Sequence, residues 1–98
     1  MVKRFMVYEV QVDETQKACV VVSPDELNNV LPYVMVAPIT SKVRRLPYRV
    51  LIEMKGKDAQ IALDQIRTRP KSDFLRKLGR LPEECQQEII SVLNQMFQ

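Results

Sequence analysis

The chain has no histidine and no tryptophan among its 98 residues. The missing histidine removes the commonest metal ligand and the commonest general acid–base group. No metal site and no cofactor are therefore expected, and proton transfer falls to carboxylates, lysine, arginine and hydroxyls. There are two cysteines, Cys19 and Cys85, with no CxxC spacing. Cys19 lies in the apolar run "ACVVV" and reads as a buried thiol, and a disulfide is not expected. No stretch approaches the ~20 apolar residues of a membrane span. The start "MVKRFMVYEV" lacks the apolar core and cleavage site of a signal peptide. These absences predict a cytoplasmic protein with no membrane partner. There is no low-complexity run and no internal repeat, so residues 1–98 are read as a single domain.

A chain of this size buries about 65% of its unfolded surface, which supports a modest core that a dimer interface would extend. The formal net charge is +3, but its distribution is more informative. Arg67, Arg69, Lys71, Arg76, Lys77 and Arg80 face Asp73 alone between residues 67 and 80. Lys42, Arg44, Arg45 and Arg49 lie in a segment without acids, and the last segment carries Glu83, Glu84 and Glu88 without a base. Two readings are open: a solvated surface, or a groove for phosphates or an acidic partner.

Residues 4–12, "RFMVYEVQV", alternate Phe5, Val7, Glu9, Gln11 with Met6, Tyr8, Val10, Val12, which suits a strand with one buried face. "DETQK" is a polar turn, and "ACVVVS" a strand buried on both faces. In "SPDELN", Ser23 is the expected helix N-cap, Pro24 the first helical residue and Glu26 the capping-box partner. "YVMVAPI" is a strand in which Pro38 predicts an edge or a bulge. "TSKVRRLP" is a basic loop, and "YRVLIEM" and "AQIAL" are strands around the turn "KGKD". "DQIRTRP" reads as a polar loop, and "KSDFLRKLGRL" as a helical turn and a short strand at 77–81. Pro82 opens a terminal helix whose stripe Cys85, Ile89, Val92, Leu93 and Met96, widened by Ile90 and Phe97, is core or dimer interface. The series predicts a mainly β, α+β small barrel with a short internal helix and a C-terminal amphipathic helix.

Four motifs in order, "VVVSPDELN" (20–28), "VAPITS" (36–41), "DQIRT" (64–68) and "GRLP" (79–82), resemble the MazF/PemK (Kid) toxin family. The resemblance implies an SH3-like barrel that forms a homodimer, and a sequence-specific endoribonuclease neutralised by an acidic antitoxin protein. It implies metal-free cleavage of single-stranded RNA by attack of the 2′-oxygen on the adjacent phosphate. Two departures stand out. The family's first loop ends in Arg-Pro, where this chain has Lys17–Ala18, so the charge remains but the bidentate fork is lost. The Kid branch has an arginine two residues before the aspartate, where this chain has Ala62.

On that resemblance the candidate catalytic residues are Lys17 for the phosphate, Thr40 as a donor to it, and Asp64 as base or orienter of the 2′-hydroxyl. Ser41, Arg44, Arg45, Gln65 and Arg69 are candidate RNA-binding residues, and Arg67 is read as structural. Plainer roles stand beside these: a self-capping turn for Thr40 and Ser41, a turn carboxylate that pairs with Arg67 or caps the next segment for Asp64, and a solvated loop for Arg44 and Arg45. Two other functions remain open. "FMVYEV" and "LNQMF" also resemble CcdB, a topoisomerase poison of the same fold, but its terminal Trp-Gly-Ile is absent. A barrel that has lost catalysis and binds antitoxin or RNA is the third.

Overall fold

Valine- and isoleucine-bearing segments form the first five strands, and tight turns set much of their pairing. In the computed structural model, which describes residues 2–98, β1 (Met6–Val12) and β2 (Thr15–Val21) are joined by Asp13 and Glu14 alone. The turn expected over 13–17 is therefore shorter, and Lys17 already lies in β2, opposite Val10. Helix α1 (Asp25–Asn28) leads to β3 (Tyr33–Thr40). An exposed segment, 41–48, precedes β4 (Arg49–Met54) and β5 (Lys57–Ala62). That hairpin is closed by Lys55 (φ 53°) and Gly56 (φ 77°), the left-handed pair that matches strand twist in a two-residue turn.

The segment read as a polar loop is more ordered than its composition suggests. It forms a 3-10 turn at Leu63–Gln65 and then β6 (Arg67–Pro70), which pairs with the first half of β3. A second 3-10 turn, Lys71–Asp73, matches the expected helical turn. The following strand, β7 (Phe74–Arg80), is longer than expected, and helix α2 (Glu83–Met96) follows. Charged side chains do not prevent β6, because its backbone bonds are satisfied by β3 while its side chains reach solvent.

All pairings are antiparallel, in the order β4-β5-β3-β2-β1-β7, with β6 added to β3. β3 is thus the central strand of a half-barrel. Its Val36 pairs with both Val21 and Arg67, while Ile39 and Thr40 pair with Ile61 and Gln60. Pro38 is buried in this central strand opposite Cys19, not at a sheet edge. It falls where β3 has left β6 and not yet met β5, an interval that tolerates a residue without an N–H.

Two apolar clusters lie on opposite faces of the curved sheet. "ACVVV" feeds both: Val20 and Val22 join Phe5, Val7, Val50, Ile61 and Ile89, whereas Cys19 and Val21 join Tyr8, Val10, Val34 and Val36. β1 likewise buries both faces at different ends, so the single buried face read from its alternation holds only locally. Ile89 of α2 is fully buried, which contributes roughly 1.5–3 kcal/mol. Cys85, Val92, Leu93 and Met96 pack beside it, while Phe97 is 77% exposed and lies outside the stripe.

Ser23 does not cap α1. Pro24 occupies the cap position, and the Ser23 hydroxyl instead donates to Asn28 Oδ1 at 2.5 Å and accepts the Met35 N–H at 3.1 Å. Both residues are buried, so this pair ties α1 to β3. At the other end, Gly79 (φ 155°) sits beside a register shift between β1 and β7, a conformation that favours glycine. Among the described residues no helix is long and apolar enough to cross a membrane.

Candidate nucleic-acid interface

The C-terminal end of β3, the start of β2, the segment after β3 and the β4–β5 hairpin border a groove of about 730 Å³. Of the residues singled out from the sequence, Lys17, Thr40, Ser41, Arg44 and Gln65 line it. Lys17 lies two residues before Cys19 in β2 and Thr40 two residues after its partner Pro38 in β3, and both line the groove. Lys42, Arg49, Lys55 and Lys57 add further positive charge against Asp58 alone. Such a concave basic surface concentrates anions.

The second basic segment does not build this groove. Arg69 sits on β6, where it pairs with Asp73 and donates to the Gln11 carbonyl at 3.3 Å. Arg76 on β7 pairs with Glu9 at 3.4 Å. Arg67 is exposed and makes no ion pair among the described residues. The geometry therefore engages Arg69 within the fold and leaves Arg67 open, the reverse of the sequence reading. Arg45 follows Arg44 in the exposed segment but does not line the groove.

Asp64 is held by Arg49, not by Arg67. Arg49 Nε lies 2.6 Å from Asp64 Oδ1, and Nη2 lies 3.2 Å from Oδ2. Both carboxylate oxygens thus face one guanidinium. The Arg49 hydrogen bond is the main reason that the Asp64 carboxyl titrates below its ordinary value, against the opposing effect of burial. A carboxylate so engaged is a weaker base and a better anchor. Arg49 Nη1 also approaches Gln60 Oε1 at 3.5 Å. Gln60, buried in β5, accepts the Arg44 N–H and donates to the Arg44 carbonyl.

Thr40 Oγ1 accepts the Lys42 N–H at 3.1 Å. This is the self-capping turn considered for that hydroxyl, and it leaves the O–H free to donate elsewhere. Thr40 is also the register partner of Gln60, so the hydroxyl, the buried amide and the Arg49–Asp64 pair occupy neighbouring strand positions. The sequence reading missed Arg49 and Gln60 as parts of the site. A signal existed for the second, since "AQIAL" places a lone amide in an apolar strand. Among the described residues no cluster of histidine, cysteine and carboxylates has the makings of a metal site.

A second, apolar cleft of about 320 Å³ adjoins the groove, and Ile39 and Met54 line both. Val7, Ile52, Leu78, Leu81, Pro82 and Cys85 add to its apolar wall.

Residues 3–97 match the family described as PemK-like, MazF-like toxin of type II toxin-antitoxin system. The chain belongs to this family. Its fold is similar to that of the toxin MazF-mt6 of Mycobacterium tuberculosis, at TM-score 0.83 and 22% identity over 94% of this chain and 95% of that one. A mycobacterial endoribonuclease in complex with its cognate antitoxin is similar at TM-score 0.88 and 21% identity, over 97% and 93% of the two chains. A MazE–MazF structure from Deinococcus radiodurans gives TM-score 0.83 and 18% identity, over 98% and 95%. The half-barrel with its terminal helix is the fold of these toxins.

Proposed function

We propose that the chain is a toxin that cleaves single-stranded mRNA at specific sequences without a metal ion, acting in the cytoplasm as a homodimer. The observation that carries this reading is the basic groove in which Lys17, Thr40, Ser41 and Gln65 meet beside the Arg49–Asp64 pair. In the reaction the 2′-oxygen bonds to phosphorus and the bond from phosphorus to the 5′-oxygen breaks. The 2′-oxygen gives its proton to solvent water and the 5′-oxygen takes one from solvent water, which leaves a cyclic phosphate and a 5′-hydroxyl. Lys17 offsets the charge that grows on the phosphorane, and Thr40 donates its free O–H to a non-bridging oxygen. Ser41, Arg44 and Gln65 bind the strand on either side. Asp64, with both oxygens turned to Arg49, orients rather than accepts a proton.

The same lining suits a protein partner. An acidic, largely disordered antitoxin segment would satisfy the groove cations and place apolar side chains in the adjoining cleft. Occupying the groove would block RNA.

Substitution of the groove donors tests the reading. Loss of one charge-stabilising donor commonly costs ~10²–10³ in rate. Thr40→Ala and Lys17→Ala are expected to lose about that much cleavage with folding intact, whereas Lys17→Arg keeps or raises activity by restoring the fork. Full activity in both alanine variants contradicts the proposed site.

A further inference from the structure

We infer that Arg49 is the fixed cation of the groove, touching the scissile phosphate, and that Asp64 and Gln60 are its positioning residues. The inference rests on reading the groove as an RNA site. Lys17, Lys42, Arg44, Lys55 and Lys57 are all exposed, and each can sample many rotamers. Arg49 differs, because its side chain is 7% exposed and is held by both oxygens of Asp64. A charge already fixed in place needs no ordering when phosphate charge develops, which is where electrostatic catalysis is strongest.

Donor arithmetic supports contact with an anion. A guanidinium has five N–H groups in a planar fork. The Nε hydrogen and one on Nη2 point to Asp64, and one on Nη1 points to Gln60. One hydrogen remains on each Nη, and Arg49 lines the groove. Free guanidinium donors of this kind match the oxygens of a phosphate.

The strand register explains how the guanidinium gets there. Arg49 is the direct cross-strand partner of Ala62. The small alanine leaves space over β5, and Gln60 and Asp64 flank it by two positions each. The turn that precedes Arg49 is also constrained: Tyr48 adopts φ 65°, rare for a bulky residue, and its carbonyl accepts the Leu63 N–H at 3.2 Å. This contact holds the start of β4 against the turn that carries Asp64. Because positions 49 and 62 face each other, an arginine moved from one to the other should deliver its fork to nearly the same place.

The test compares the parent with Arg49→Lys, Arg49→Ala and the double variant Arg49→Ala/Ala62→Arg. Two quantities are read: single-turnover cleavage of an RNA substrate, and equilibrium binding of the same sequence made fully 2′-O-methyl, which cannot be cleaved. Circular dichroism confirms folding. Cleavage is expected to fall about 10²–10³-fold in Arg49→Ala, and by at least about tenfold in Arg49→Lys, which keeps the charge but not the fork. The double variant is expected to regain at least about tenfold over Arg49→Ala, on the scale of one restored charge-assisted contact. Parent-like cleavage in Arg49→Lys, or no regain in a folded double variant, overturns the inference. A parent that cleaves no RNA sinks the nuclease reading instead. In that case unchanged binding of the methylated strand by Arg49→Lys overturns the inference too, while weakened binding keeps Arg49 as a phosphate ligand.

Discussion

Gln60 grips the backbone of Arg44 from both sides, its Nε2 donating to the Arg44 carbonyl at 2.8 Å and its Oε1 accepting the Arg44 N–H at 3.0 Å. One buried amide thereby does for a loop residue what a neighbouring strand does for a ladder residue. The side chains of the 42–48 segment stay exposed and adaptable, while its backbone is held at Lys42, Arg44 and Tyr48.

That tether predicts a local and a global effect. Each net hydrogen bond is worth roughly 0.5–1.5 kcal/mol. Gln60→Ala should lose about 1–3 kcal/mol in denaturant unfolding and should speed exchange of the Arg44 amide hydrogen. Unchanged exchange at Arg44 would show that the loop is held by something else.

The Arg49–Asp64 pair predicts a pH dependence. Because Arg49 holds the folded-state value of Asp64 below 3.8, the pair stabilises the fold above about pH 3.8. That stabilisation is lost as pH falls through the lowered value. Asp64→Asn should therefore be less stable than the parent at neutral pH, with a gap that closes as both are acidified below pH 3.8. Urea midpoints measured from pH 7 down to about pH 2.5 check this, and a gap that widens on acidification has the wrong sign.

Burial pushes the Cys19 thiol up to about 11, more than the nearby Lys17, Arg67 and Arg69 pull it down. Almost no thiolate forms at neutral pH, and Cys19 is buried besides. A thiol-disulfide reagent should label Cys19 only after denaturation, whereas half-buried Cys85 reacts in the folded protein, slowed by its own raised value. Mass spectrometry of the labelled peptides separates the two, and rapid native labelling of Cys19 contradicts the core position assigned to it.

Much of this architecture was legible because it rests on local patterning. The run "ACVVV" reads as a strand buried on both faces, and Cys19, Val20 and Val21 are the buried end of β2, while Pro82 with Glu83 and Glu84 marks the start of α2. β6 was hidden, because Arg67, Thr68 and Arg69 look like loop material until β3 is seen to satisfy their backbone. The groove was half legible. Thr40 and Lys17 follow from the family resemblance, and Thr40 ends β3 while Lys17 lies inside β2, but Arg49 and Gln60 depend on the β4–β5 register, a pairing that periodicity does not specify. Ala62 looked like a lost cation from the sequence. Across the register it is the gap over which Arg49 reaches Asp64.

The most direct measurement is to incubate the purified protein with a mixed single-stranded RNA in EDTA and map the ends of every fragment. The account predicts cleavage at a recurring short sequence, with cyclic phosphate on one side of each break, a 5′-hydroxyl on the other, and no loss of rate from the chelator. Intact RNA, or fragments ending in 5′-phosphate that appear only when a divalent metal is added back, would contradict it.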